Sequence, residues 1–209
     1  MKPTSNNTIR PILIGITGGI GSGKSYICHQ LEQTGHHVFY CDDVAKQIIR
    51  TQADVKRELT ALVGPDVYDA AGQLVKSVLA AYLCRGTDYS HRIDQIVHPR
   101  VAAAFKQQAA LLRPSTPTTL EYDEKVISLQ LLQQLPTDGV LFMECALLFE
   151  SGFDQLVDKS VVVHVSQETQ LKRLIGRDHI SREKALRWIS LQLAEDVKVD
   201  RADYVINNE

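Results

Sequence analysis

The sequence predicts an α/β fold, a five-stranded parallel sheet flanked by helices that also carries a helical acceptor-binding domain and a helical lid. Three observations predict it. A glycine-rich segment, Gly18 to Ser25, joins an apolar run to a helix start. Apolar runs recur with helical material between them. The interval between the second and third runs is about a hundred residues, where a crossover needs only about a dozen.

The runs are Ile12–Ile16, Val38–Cys41, Val140–Met143, Val161–Val165 and Tyr204–Ile206. Continuous rather than alternating apolar character fits strands buried on both faces, and alternation with helices makes the sheet parallel. The first helix starts at Lys24 and runs to about Gln33, where Thr34-Gly35 supplies a stop. The second strand is expected to end at Cys41, leaving Asp42 and Asp43 at the carboxyl edge, where open α/β sheets bind ligands.

The long interval is read as a largely helical subdomain. Its helical signals are Ala53–Val63 and the stretch from Arg92 onward, with Ile93, Ile96, Val97, Val101, Phe105, Ala109 and Leu112 at three- and four-residue spacing. Pro99 must open or kink that helix. Residues 114–119 read as a linker and 136–139 as a turn. Farther on, Ser166 and Ser181 are N-cap candidates for two helices, with an interruption expected at Gly176-Arg177-Asp178. These two helices carry six Lys and Arg residues, which suits a lid closing on an anionic ligand. The core is expected over 10–62 and 138–209, with the lid at about 167–195. The acceptor domain, with an insertion, is expected over 63–137.

Composition narrows the function. A net charge of −2 gives no long-range pull toward nucleic acid or an anionic membrane, and neither partner is expected. Cys28, Cys41, Cys84 and Cys145 lack metal-like spacing and read as reduced thiols of a cytoplasmic protein. The apolar stretch after Lys2 and Arg10 is short and broken by glycines, which argues against a secretory leader, and residues 1–7 are expected to be disordered.

Gly18-Gly19-Ile20-Gly21-Ser22-Gly23-Lys24-Ser25 fits G-x-x-x-x-G-K-[ST] after a strand and before a helix. Such a loop turns backbone N–H groups and a helix N-terminus toward a polyphosphate. ATP binding is therefore expected at Gly19, Ile20, Gly21, Ser22, Gly23, Lys24, Ser25 and Tyr26. Lys24 would reach the β/γ-phosphates and Ser25 a Mg²⁺. No Asn-Lys-x-Asp for reading guanine occurs, whereas a carboxylate, an acceptor arm and lid cations all have candidates, so phosphoryl transfer is favoured.

Asp42 is the chosen carboxylate, accepting a proton from the acceptor hydroxyl or orienting it, and Asp43 is its competitor. If the chain is extended there, only one of them faces the cleft; alternatively both begin a helix. Glu144 is either an acid near Mg²⁺ or a solvent-facing charge at a strand end. From its neighbours alone, His98 reads as a buried histidine at a helix start.

Together these segments resemble the dephospho-CoA kinase family of P-loop kinases. The resemblance rests on the loop, the acid followed by Val44-Ala45-Lys46, and Ile96-Val97-His98-Pro99. It continues through Leu147-Leu148-Phe149-Glu150-Ser151-Gly152, Gln170-Leu171-Lys172-Arg173-Leu174 with Arg177-Asp178, Gln192, and Ala202-Asp203-Tyr204-Val205-Ile206-Asn207. It implies ATP-dependent phosphorylation of the 3′-hydroxyl of dephospho-CoA, with Mg²⁺ accompanying ATP. It further implies catalytic roles for Asp42, Lys24, Arg177 and Arg173, ATP contacts from Arg177 and Asn207, and acceptor contacts from Thr17, Asp42, His98 and Leu148. The sequence departs from the family at Tyr40-Cys41-Asp42 (usually Asp-Ala-Asp), at Ala146 (usually Pro) and at Leu74-Val75-Lys76, and it has a longer interval around 116–138. A nucleoside or nucleotide kinase and an ATP-binding regulatory module remain the alternatives, and the oligomeric state is left open.

Overall fold

The computed structural model describes residues 9–209, so the expected disorder of residues 1–7 lies outside the described residues. Five strands form one parallel sheet: β1 (Ile12–Thr17), β2 (His37–Tyr40), β3 (Val140–Glu144), β4 (Lys159–His164) and β5 (Tyr204–Asn207). The order is β2-β3-β1-β4-β5, placing the strand that feeds the glycine-rich loop at the centre. Every residue of β3 is buried, as a strand covered on both faces requires. In register, Ile16 lies opposite Glu144 and Thr17 opposite Val162, so the carboxyl ends of β1, β3 and β4 form one ledge.

The described chain divides into two compact units, residues 9–39 with 108–209, and residues 40–107. In the first, α1 (Lys24–Gln33) buries Ile27, Cys28 and Leu31 and stops where Gly35 takes φ 89°. Residues 112–128 hold no helix or strand but are not idle linker. Ile127 N–H donates to Val205 O at 2.9 Å and Val205 N–H to Lys125 O at 2.8 Å, while the Tyr204 hydroxyl donates to Leu120 O at 3.0 Å. This segment pairs with and covers the outer edge of β5, which would otherwise expose unpaired backbone groups. A short α6 (Leu129–Gln133) leads to β3, and Gly139 N–H donates to Pro136 O at 2.9 Å in the expected turn.

The first unit also carries α7 (Gln167–Asp178), α8 (Arg182–Ser190) and α9 (Glu195–Arg201). Ser166 Oγ accepts from Thr169 N–H and Ser181 Oγ from Lys184 N–H, so both expected caps are present. The expected break at 176–178 is not there: α7 runs through Gly176 and ends at His179, whose φ is 51°. One glycine in a helix interior costs about 1 kcal/mol, too little to stop a helix already packed along Leu171 and Leu174.

The second unit contains α2 (Cys41–Thr51), α3 (Ala53–Val63), α4 (Lys76–Leu83) and most of α5 (Thr87–Leu111). Its core is Ile48, Val55, Leu59, Val67, Tyr82, Ile93, Val97, Val101 and Phe105. Pro99 does not open a helix here; it lies inside α5. Next to it, Arg100 Nη1 donates to Ile96 O at 2.5 Å, while Nη2 reaches Asp54 at 2.8 Å and Glu58 at 2.5 Å. The proline removes one N–H, and this arginine bonds a carbonyl of the affected turn while tying α5 to α3. Among the described residues, no helix is long and apolar enough to cross a membrane.

Candidate active site

The Gly18–Ser25 loop leaves the end of β1 and turns into α1 with Gly18, Gly21 and Gly23 all at positive φ. Gly23, at φ 95°, favours glycine by conformation, and a Cβ there would push Asn208 Nδ2 from its place on Ser22 O. Lys24 is buried, and its ammonium donates to Gly18 O at 2.8 Å and Gly19 O at 3.4 Å. A cavity of about 360 Å³ opens on the loop, lined by Ile20, Gly21, Gly23, Lys24, Ser25, Arg173 and Arg177. Ser25 and Tyr26 are exposed at the start of α1, where the helix N-terminus favours an anion. Ser22 Oγ is buried without a hydrogen-bond partner among the described residues.

The two lid arginines sit differently. Arg173 is committed to backbone: Nη1 donates to Ser22 O at 3.2 Å and Gly21 O at 3.4 Å, and Nη2 to Asn208 O at 2.8 Å. Arg177 is exposed and forks onto its neighbour Asp178, with bonds of 3.0 and 2.7 Å. That fork holds the Asp178 carboxyl below its ordinary value. Asn207, the expected ATP contact, is exposed at the end of β5. Its neighbour Asn208, which sequence reasoning missed, donates Nδ2 to Ser22 O at 2.8 Å. Asn208 is the first residue past β5, and two consecutive Asn residues were the only sequence signal.

Glu144 ends β3 beside Ile16 and is largely buried, not the solvent-facing charge left open as an alternative. Burial first, then the Glu144 charge, push the Cys28 thiol well above its ordinary value, making it a poor nucleophile. Thr17 is fully buried, with Oγ1 donating to Ala146 O at 3.3 Å. Leu148 is also fully buried, its side chain packed over Gly15 and its carbonyl accepting from Asp154 N–H at 3.2 Å, so no part of it lies at the surface as an acceptor contact would.

The other two named residues belong to the second unit. The chain is helical, not extended, from Cys41, so Asp42 and Asp43 share the first turn of α2. The argument from opposite strand faces therefore falls, and partners separate the two instead. Asp43 is paired with Lys46 at 3.0 Å, whereas Asp42 is exposed with no side-chain partner among the described residues. His98 stands mid-helix in α5, half-buried and 3.5 Å from Asp94, rather than buried at a helix start.

A central strand feeding a glycine loop, a lysine on that loop, and a cation-bearing helical pair over it define a P-loop kinase. The family model described as dephospho-CoA kinase matches residues 12–122 and 125–209, leaving only 123 and 124 unmatched in the segment read as an insertion. The chain is 35% identical over 198 residues to the dephospho-CoA kinase of Bacteroides fragilis strain YCH46, covering 95% of this chain and 85% of that one. To the dephospho-CoA kinase of Geobacillus kaustophilus it is 31% identical, covering 94% and 88%. A crystal structure from Thermus thermophilus superposes with a TM-score of 0.73 at 27% identity, covering 96% of this chain and 90% of that one. The dephospho-CoA kinase of Campylobacter jejuni shares the fold, with a TM-score of 0.60 at 21% identity over 94% and 87% of the two chains. The chain belongs to the dephospho-CoA kinase family and is a transferase.

Proposed function

We propose that this chain transfers the terminal phosphoryl group of ATP to the 3′-hydroxyl of dephospho-CoA, completing CoA synthesis. The observation that carries the reading is the cavity joining Lys24, Ser25, Arg173 and Arg177 to the loop backbone, in a chain of this family. Phosphoryl transfer asks the protein mainly for positioning and charge stabilisation. Loop N–H groups and Lys24 hold the phosphates. Arg177 leaves Asp178 to neutralise charge on the transferring group, a modest exchange because that pair is solvent-exposed. Asp42 takes or orients the acceptor proton, being the carboxylate of its pair that no side chain engages. Residues 63–137, with His98, receive the acceptor; Thr17 and Leu148, both fully buried, act by packing rather than by contact.

The residues present fit a Mg²⁺ that travels with ATP. Ser25 lines the cavity, and Glu144 stands at the strand end beside the loop strand. Mg²⁺ keeps several waters and needs only one or two protein ligands besides phosphate oxygens, and it would neutralise charge on the β- and γ-phosphates. A cytoplasmic location goes with this reading, supported by four cysteines that are all free thiols.

The test is ADP release by purified protein with dephospho-CoA, uridine, a nucleoside monophosphate, or no acceptor. Release is expected to depend on dephospho-CoA and Mg²⁺. Faster release with uridine or a monophosphate would move the chain to nucleoside or nucleotide kinases. Saturable ATP binding with no release for any acceptor would make it a sensor.

A further inference from the structure

The Gly19–Ile20 peptide of the phosphate loop is gripped from both sides. A trans peptide points its C=O and N–H in opposite directions. On the carbonyl side, Gly19 O accepts from Ser22 N–H at 3.0 Å and from the Lys24 ammonium at 3.4 Å. On the other side, Ile20 N–H donates to Gln192 Oε1 at 2.7 Å. Gln192 lies in the connection between α8 and α9. The next residue anchors that connection, since Leu193 N–H donates to Glu150 Oε1 at 2.9 Å in the turn after β3. The loop is packed there as well as bonded. The Ile20 side chain sits against buried Leu171, Leu174 and Ala185 of the lid helices, and a Cβ on Gly19 would strike Gln170 Nε2.

We propose that Gln192 is a positioning residue of the ATP site. Its side-chain oxygen fixes the orientation of the Gly19–Ile20 peptide and, through Gly19 O, the place where the Lys24 ammonium rests. With the peptide turned over, Gly19 O would abandon Ser22 N–H and the Lys24 ammonium, and Ile20 N–H would lose the Gln192 oxygen. Leaving such groups unpaired is costly, so the native orientation dominates. Without the Gln192 oxygen the native orientation loses its Ile20 bond and the loop samples both orientations. Apparent affinity then falls by the competent fraction, whereas saturating ATP pulls the loop back and leaves turnover unchanged.

The inference rests on ATP occupying the phosphate loop, and its test separates the two readings. Gln192→Met keeps the chain length and removes the acceptor oxygen. The ATP Kd by calorimetry and the KM for ATP should both rise about tenfold, with kcat within about twofold of the parent and Tm unchanged. Amide exchange at Ile20, followed by NMR without nucleotide, should be slow in the parent and about tenfold faster in the variant. Unchanged ATP affinity in Gln192→Met overturns the proposal, as does a fall in kcat with KM unmoved. If Gln192→Met fails to fold, Gln192→Leu repeats the affinity arm, and rapid Ile20 exchange in the parent still overturns the contact. A parent that binds ATP but turns over no dephospho-CoA sinks the functional reading alone, because the calorimetric and exchange arms need no acceptor.

Discussion

Each of the two compact units has its own kind of internal polar bonding. Around the phosphate loop, side chains bond to backbone: Lys24, Arg173, Gln192 and Asn208 each reach a loop carbonyl or N–H. In residues 40–107 some side chains also reach backbone, Lys56 Nζ to Gly72 O at 2.7 Å and the Tyr68 hydroxyl to Ile49 O at 2.8 Å, but contacts between side chains near the surface are added to them. Arg100 bridges Asp54 and Glu58, Arg85 lies over Tyr82 and Tyr89, and Arg92 lies over Tyr89. Exposed pairs of that kind contribute about 0–1 kcal/mol each and are screened by salt. A backbone-directed grip sets where N–H groups point, which is what a polyphosphate reads. Substitutions in the first region should therefore alter binding and chemistry, and those in the second chiefly stability. Asp42 is the exception, a residue of the second unit expected to change turnover.

Lys24→Ala should break the pattern most severely, lowering kcat by about 10³-fold, because a preorganised donor strengthens as charge develops. A loss below tenfold in steady-state assays would remove Lys24 from the chemistry. Asp42→Asn comes next, with an expected fall of about 10²-fold in kcat and an ATP Kd unchanged by titration. Asp43→Asn should leave kcat nearly intact; the reverse result would transfer the role to Asp43.

The arginines sharpen the contrast within the lid. Arg177→Ala should lower kcat by about ten- to a hundredfold with little change in Tm, since Arg177 is itself exposed and bonds its neighbour Asp178. Arg173→Ala should lower Tm and weaken ATP binding together, because it removes contacts to Gly21, Ser22 and Asn208. Equal kinetic and thermal profiles for the two variants would erase the distinction.

The smallest effect belongs to the helical unit. Arg100→Ala should lower Tm slightly at pH 7 and leave kcat unchanged. Hydrogen bonding from Arg100 holds the Asp54 carboxyl below its ordinary value. A carboxyl depressed on folding stabilises fully above its unfolded pKa of about 3.9, and that contribution is lost as pH falls through the folded value. Melting curves of parent and variant should therefore converge in acid, and a Tm gap that persists there would assign the effect to packing.

Much of this was legible in advance where local signals act alone. All five strands lie within a residue or two of their apolar runs, and α1 and α3 have their expected limits. The errors came where two local signals competed. Asp42 and Asp43 suit a strand end and a helix start equally well, and α2 won by starting one residue earlier. Gly176 was read as an interruption, yet it stays inside its helix; Pro99, read as opening or kinking one, does not open it and lies within α5. Packing along Val97, Val101 and Phe105, and along Leu171 and Leu174, outweighs the single-residue penalty.

Residue order alone determined the nucleotide loop, the parallel sheet and the cationic helical pair, because glycine geometry and hydrophobic period are properties of neighbours in the chain. Tertiary structure decided which groups grip that loop. Asn208 rather than Asn207 reaches Ser22 across 186 positions, and Gln192 reaches Ile20 across 172. Such pairings depend on strand order and on which way consecutive side chains point once the sheet is assembled, information that no local periodicity carries.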